Sequence, residues 1–299
     1  MKKLFGLTIA ALLIIGMVGG GTWAYFSDPE TSSGNVLTAG TLNLTLGGTG
    51  QILSWASTAD DTYPGQTGVD SITIAASGTL GGELDIDFDT SVMNTESIDT
   101  SELNVTYDTA GAAEDGDTAG ELGDAVLMAI YIDVDGGGWN SSSDIGLKPI
   151  NNTMYSWTTT VSATDAEAAS ATTLQDATLD SGTTDFYKDM IVVIGTGTGA
   201  GQWRKISAFD PDTDTITVSP AFTTTPDTTS DFTVTSLRYY AIESYEDITW
   251  DNVYSGLMST TGTDSFSLDW KVPQTATNTI QGDSVTFDIE FTLEQIEAD

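Results

Sequence analysis

Val285-Thr286-Phe287-Asp288-Ile289-Glu290-Phe291-Thr292-Leu293 alternates apolar and polar residues without a break. A period of two puts the apolar side chains on one face of a strand and the acids on the other, so one face packs on a core while the other meets water. The pattern recurs at Leu42, Leu44 and Leu46, at Leu84, Ile86 and Phe88, at Leu103, Val105 and Tyr107, and at Phe266, Leu268 and Trp270. Ala125 to Val134 (AVLMAIYIDV) is more continuously apolar and reads as a central strand. Helical signals are few, with room for a turn or two at Asp251 to Ser259. Many strands, glycine-rich turns and little helix predict an all-β protein, a jelly-roll-like β-sandwich.

Composition shifts near Thr164, and residues 164–234 keep their own strand–turn rhythm, punctuated by Asp210-Pro211-Asp212. The runs Gly197 to Ile206 and Thr215 to Phe222 resemble a small β-module found in viral tail and other surface proteins. We therefore expect residues 164–234 to be a β-module inserted into a body formed by residues 38–163 and 235–299.

The 299 residues include 8 Lys+Arg, 44 Asp+Glu, no His and no Cys, for a net charge of -36. Ser-His and Cys-His nucleophile pairs are excluded, as are zinc, copper and haem sites with the usual ligands. The charge argues against nucleic acid as a partner and against an anionic membrane surface. Acids this numerous guarantee some close carboxylate pairs, but none stands at a spacing that marks a glycosidase, and the chain is not expected to be an enzyme. The tryptophans, Trp139, Trp157, Trp203, Trp250 and Trp270 among them, are expected in core or interface packing rather than on sugars.

Residues 1–24 begin with Lys2 and Lys3, continue through an apolar run from Leu4 to Val18, and end in small residues at Ala24. This is the pattern of a secretory signal peptide, and the apolar run is short for the roughly 20 residues that span a bilayer. Cleavage would leave six basic residues against 44 acids, a net charge of -38. Four N-x-[ST] sequons, at Asn43, Asn104, Asn140 and Asn151, are candidate glycosylation sites on an exported chain.

The junction Gly19-Gly20-Gly21-Thr22-Trp23-Ala24-Tyr25-Phe26-Ser27-Asp28, followed by Ala39-Gly40-Thr41-Leu42-Asn43-Leu44, resembles the TasA/camelysin family. That family has a SipW-type signal peptide and includes archaeal bundling-pilus subunits. The resemblance is strong over residues 15–46 and implies cleavage between Ala24 and Tyr25. It also implies an extracellular fibre or biofilm-matrix subunit with a jelly-roll fold, whose N-terminal segment adds as a strand to the next copy. Residues 25–37 are then the donor, with Tyr25, Phe26, Val36 and Leu37 as candidate contacts. Exposed aromatics on a free end favour burial by a neighbour, strand addition supplies a backbone ladder, and a head-to-tail contact that does not close makes a filament. The expected partners are identical subunits, with bundling to other filaments or surface glycans. Pro29 interrupts a long ladder, so pairing is expected to start after it or straddle a break. The other reading is a monomeric cell-surface adhesin or carbohydrate-binding protein with the same leader. Some camelysin relatives are described as metalloproteases, a chemistry that a chain without histidine cannot support through a His-x-x-x-His zinc motif.

Asp133-Val134-Asp135-Gly136-Gly137-Gly138-Trp139-Asn140-Ser141-Ser142-Ser143-Asp144 is the best candidate for a bound ion. Asp133, Asp135 and Asp144 occupy the first, third and twelfth places of a calcium-loop spacing, and Gly137 offers its carbonyl from the fifth. Asp in place of Glu at the twelfth position favours weak, extracellular-range Ca²⁺ affinity. The alternative is an Asp/Gly hairpin turn. Gly195 to Gly201 (GTGTGAG) lacks the Lys-Ser/Thr of a phosphate loop and reads as a hairpin turn.

Overall fold

A computed structural model describes residues 27–38, 41–46, 52–56, 63–75, 82–88, 93–95, 122–140, 142–156, 160–253, 263–276, 280 and 284–295. From the N-terminus the strands are β1 (Ser27–Thr38), β2 (Thr41–Leu46), β3 (Ile52–Ala56), β4 (Thr67–Ala75), β5 (Gly82–Phe88) and β6 (Met93–Thr95). After a single helical turn at Leu122–Ala125 come β7 (Leu127–Asp133), β8 (Ile145–Lys148) and β9 (Thr153–Ser156). Next are β10 (Val161–Ala163), β11 (Ala168–Ala169), β12 (Thr173–Gln175), β13 (Met190–Thr196), β14 (Trp203–Asp210), β15 (Thr215–Val218) and β16 (Asp231–Arg238). The series ends with β17 (Tyr240–Ala241), β18 (Ile248–Trp250), β19 (Thr263–Lys271) and β20 (Ser284–Gln295).

These strands form three antiparallel sheets, so the protein is all-β, as its alternation predicts. The first runs β18-β5-β20-β1-β2-β3, with β6 also on β20. The second runs β4-β19-β7-β8-β9, with β17 also on β7. Their inner faces make one core, the sandwich of the body. Along β20, Val285, Phe287, Ile289 and Phe291 are buried, while Asp288 and Glu290 are only partly covered. Opposite them on β19 lie Phe266, Leu268 and Trp270, and the rings of Phe266 and Phe291 meet edge to face at 5.0 Å. Each such large apolar side chain contributes roughly 1.5–3 kcal/mol by leaving water.

The third sheet, β10-β16-β13-β14-β15-β12-β11, is drawn wholly from residues 161–238 and has a core of its own around Ile194, Ile206, Phe209, Ile216 and Phe232. The Gly195–Gly201 stretch joins β13 to β14 in this sheet, with Gly197, Gly199 and Gly201 at positive φ. No helix follows it, as the missing phosphate-loop residues predict.

The continuous apolar character of the seventh strand has a specific cause. Met128, Ile130 and Ile132 of β7 face the sandwich core, while Leu127, Ala129 and Tyr131 face Ile191, Trp203, Leu237 and Tyr239 of the third sheet and its exit. Both faces are covered, so no polar alternation survives. Trp139 bridges the same seam, with its Nε1 donating to Ser236 Oγ at 2.8 Å and its ring edge-on to Tyr131 and Tyr155.

The turn expected at Asp251 to Ser259 is not helical over Asp251–Val253, and the remainder lies outside the described residues, as do Leu103, Val105, Tyr107 and Trp157.

Candidate functional site

β7 and β8 pair with Ile132 opposite Ile145, and the connection between them is the acidic loop. Asp133 closes the strand and turns its carboxylate back over the loop. Its Oδ1 accepts the Gly136 N–H at 2.7 Å and its Oδ2 the Gly138 N–H at 2.8 Å. Gly136 and Gly138 both sit at positive φ, which most side chains resist, so glycine is favoured there. Asp144, fully buried, accepts Val134 N–H at 3.1 Å and Asn140 N–H at 3.0 Å. Exposed Asp135 accepts only the Gly137 N–H, at 2.9 Å.

These bonds bring Asp133, Asp135 and Asp144 together, with one carboxylate oxygen from each lying within 4.8 Å of the others. The three can bind a metal. Each oxygen that accepts one N–H keeps a lone pair, and an all-oxygen set suits a hard divalent cation. The Gly137 carbonyl is engaged differently, since Asn140 Nδ2 donates to Gly137 O at 2.6 Å and to Gly138 O at 2.7 Å. That amide nitrogen is also the atom a glycan on Asn140 would take. Asn151 is exposed in a short turn, Asn43 lies in β2, and Asn104 is outside the described residues.

Asp264 is an acid that the sequence reading passed over. It is buried at the start of β19, beside the Ser265–Asp133 pairing, and burial followed by the negative charge of Asp133 raises its pKa. Its position in phase with Phe266, Leu268 and Trp270 is the signal that could have found it.

The N-terminal strand has a definite place. β1 pairs with β20 from Ser27↔Glu294 to Thr38↔Ser284, and with β2 from Ser32↔Leu46 to Thr38↔Thr41. The segment expected to be a free end is therefore docked in its own sheet from Ser27 onward. Val36 and Leu37 pair on both sides, with Thr286 and Val285 of β20 and with Asn43 and Leu42 of β2. Pro29, which has no N–H, lies in the half of β1 that pairs with β20 alone, where a strand tolerates proline. The ladder starts at Ser27 and runs through Pro29 in register, so the expected break there does not occur; the one register shift comes later, between Ser32 and Asn35. Ala24, Tyr25 and Phe26 lie outside the described residues. Among the described residues no helix is long and apolar enough to cross a membrane.

Residues 1–111 match the family model described as camelysin metallo-endopeptidase, the family that the N-terminal junction resembles. No curated protein and no solved structure matches the chain. The metal implied by the family's name can be tested against the donors present. With no His and no Cys, the sequence cannot form the nitrogen- or sulfur-rich set of a zinc protease. The three clustered aspartates offer hard oxygen instead, so no peptide-cleaving step is derived from them.

Proposed function

We propose that the protein is a secreted structural subunit of an extracellular filament, a biofilm matrix or bundling pilus, built by donor-strand exchange of the N-terminal segment, residues 25–37. Residues 1–24 serve as the signal peptide, removed between Ala24 and Tyr25. The body comprises residues 38–163 and 235–299, and residues 164–234 are an inserted module. The single observation that carries the reading is the place of β1, which is held between β20 and β2 by backbone pairing. The same ladder can be made by β1 of another copy, so exchange preserves the hydrogen bonds and is decided by concentration and by the strain of the connection after Thr38. Donation from each copy to the next is head-to-tail and leaves both ends open, which makes a fibre rather than a closed ring. The role is architectural rather than catalytic.

The acidic loop takes Ca²⁺, which relieves the mutual repulsion of Asp133, Asp135 and Asp144 and ties the β7–β8 connection. Bound cations and screening salt also reduce repulsion between copies that each carry a net -36 before processing.

Negative-stain electron microscopy of the chain starting at Tyr25, beside one starting at Thr38, tests the reading. Filaments in high salt with calcium from the first chain only are expected. Folded monomers from the first chain under the same conditions would overturn it. They would favour the monomeric adhesin or carbohydrate-binding reading, which draws support from the same docking of β1, since a self-complemented sheet needs no neighbour.

A further inference from the structure

The six basic residues beyond the leader, Lys148, Lys188, Arg204, Lys205, Arg238 and Lys271, all lie on the third sheet or along its seam with the body. Four of them find ordinary partners, and a fifth meets water. Lys205 pairs with Asp189 at 3.0 Å and Lys271 with Asp269 at 3.0 Å. Arg238 donates to the carbonyls of Lys188 and Phe186, and Lys148 lies 5.8 Å over the Tyr155 ring. Lys188 is exposed to water.

Arg204 is different. Only 3% of it is exposed, and no carboxylate among the described residues lies within ion-pair distance. Its donors go to neutral oxygens: Nε to Ala221 O at 3.0 Å, one terminal nitrogen to Trp203 O at 2.7 Å and Gln274 Oε1 at 3.1 Å, and the other to Thr223 Oγ1 at 3.1 Å. A guanidinium has five N–H groups and four are accounted for, which leaves one on the nitrogen facing Thr223. The Phe222 ring, 5.5 Å from its Cζ, gives a cation–π contact, but the buried charge has no counter-charge, and burial lowers its pKa.

Arg204 also lines a cleft of about 280 Å³ between the third sheet and the body. Leu127, Ala125, Pro220, Pro273 and Ala276 supply apolar wall, and Gln274 and Lys205 add polar groups. Asp124 also lines the cleft and penalises a second negative charge. Apolar clefts with a few converging polar groups, set between two folded units, are the usual form of a small-molecule site.

We propose that this cleft binds a small monocarboxylate, its head toward the Arg204 guanidinium that lines the cleft and its short apolar tail against Leu127 and the prolines. Charge-assisted hydrogen bonding supplies what the buried guanidinium lacks. The negative charge of Asp124 selects a monoanion over phosphate. The carboxylate is either a free organic acid or an acidic side chain of a neighbouring copy.

Isothermal titration of the full-length protein with sodium butyrate, against sodium chloride at matched ionic strength, tests the proposal. Saturable binding is expected, at least tenfold weaker in Arg204→Met. Thr275→Glu is the second variant, because Thr275 is an exposed residue of the cleft wall and its change leaves the core untouched. It should abolish butyrate binding with an unchanged circular dichroism spectrum, and sodium phosphate should not bind. No butyrate binding by the unaltered protein, equal binding by Thr275→Glu, or equal affinity for phosphate would overturn the proposal. Sedimentation with and without butyrate separates the sources. A shift to smaller species assigns the natural carboxylate to a neighbouring copy, and no shift assigns it to a free acid, each on the same Arg204.

Discussion

Trp270 of β19 donates its indole Nε1 to Asp70 Oδ2 at 3.3 Å, across the ladder to β4. The same indole covers Gly68, where an added Cβ would meet ring atoms at 2.5 Å. Asp70 thus lies in phase with Ile72 on the inward side of a strand that ends the second sheet. Burial raises its pKa from 3.8 to about 6, against the opposing pull of the Trp270 hydrogen bond. A carboxyl with a raised folded-state pKa binds its proton more tightly when folded, so its ionisation destabilises the fold as pH rises from about 4 through 6. Asp70→Asn removes that loss and keeps an acceptor for Trp270. Melting temperatures recorded from pH 4 to 7 should show the variant gaining on the parent across this window. Parallel curves would refute the assignment.

The seam holds a second partly buried acid. Asp269 pairs with Lys271 and hydrogen-bonds Tyr239, whose ring lies 4.9 Å from the Lys271 ammonium. Burial, then the charge of Asp269, pushes the Tyr239 phenol well up. Removing one member strands the others, so Asp269→Ala should cost on the order of 3 kcal/mol in urea unfolding. Tyr239→Phe should cost about 1 kcal/mol. The double variant should fall short of the sum, by roughly 0.5–3 kcal/mol of coupling. Strict additivity would mean that the contacts do not act together.

The three loop aspartates should separate by role. Asp133 and Asp144 each accept two backbone N–H groups, whereas Asp135 accepts one from an exposed position. Asp133→Ala and Asp144→Ala are expected to lower the melting temperature even in EDTA, by about 1–3 kcal/mol of stability, because two partly buried hydrogen bonds to loop N–H groups are lost in each. Asp135→Ala should leave the EDTA value nearly unchanged and blunt the rise on adding calcium. An unaltered calcium response in Asp135→Ala would remove that residue from the ion site.

Gly146 of β8 lies under the Tyr155 ring, where an added methyl would overlap ring carbons. Tyr155 accepts the Arg238 N–H at 3.0 Å, so the ring is a strut between body and third sheet. Gly146→Ala should displace it, lower stability by about 1–3 kcal/mol as overpacking does, and change the near-ultraviolet circular dichroism of Tyr155 and Trp139. A conservative change with no spectral effect would show that the strut tolerates movement.

How far the sequence led differs from element to element. The alternation in β20, β19 and β5 was legible because one face of each meets the core and the other meets water or polar neighbours. The central place of β7 was legible too, but not what covers its second face, because Tyr131 meets Leu237 and Tyr239 across about a hundred residues of chain and no local pattern records such a pairing. The aspartates of the loop were found by their spacing, while the engagement of the Gly137 carbonyl by Asn140 follows only from the fold of the turn. β1 marks the sharpest limit. Its ladder to β20 and β2 uses the same backbone groups whether the strand comes from its own chain or another, so sequence cannot distinguish the two.

The gathering of cations at the seam has a consequence for resistance to proteases. Proteases that cut after lysine or arginine need an extended, accessible bond at such a residue. Among the described residues only Lys188 is exposed, and its carbonyl is held by Arg238. Arg204 is buried, and Lys148, Lys205, Arg238 and Lys271 are partly covered beside aromatic rings. Enzymes of trypsin-like specificity would therefore meet a surface almost empty of their cleavage sites, and digestion should wait on the separation of the third sheet from the body.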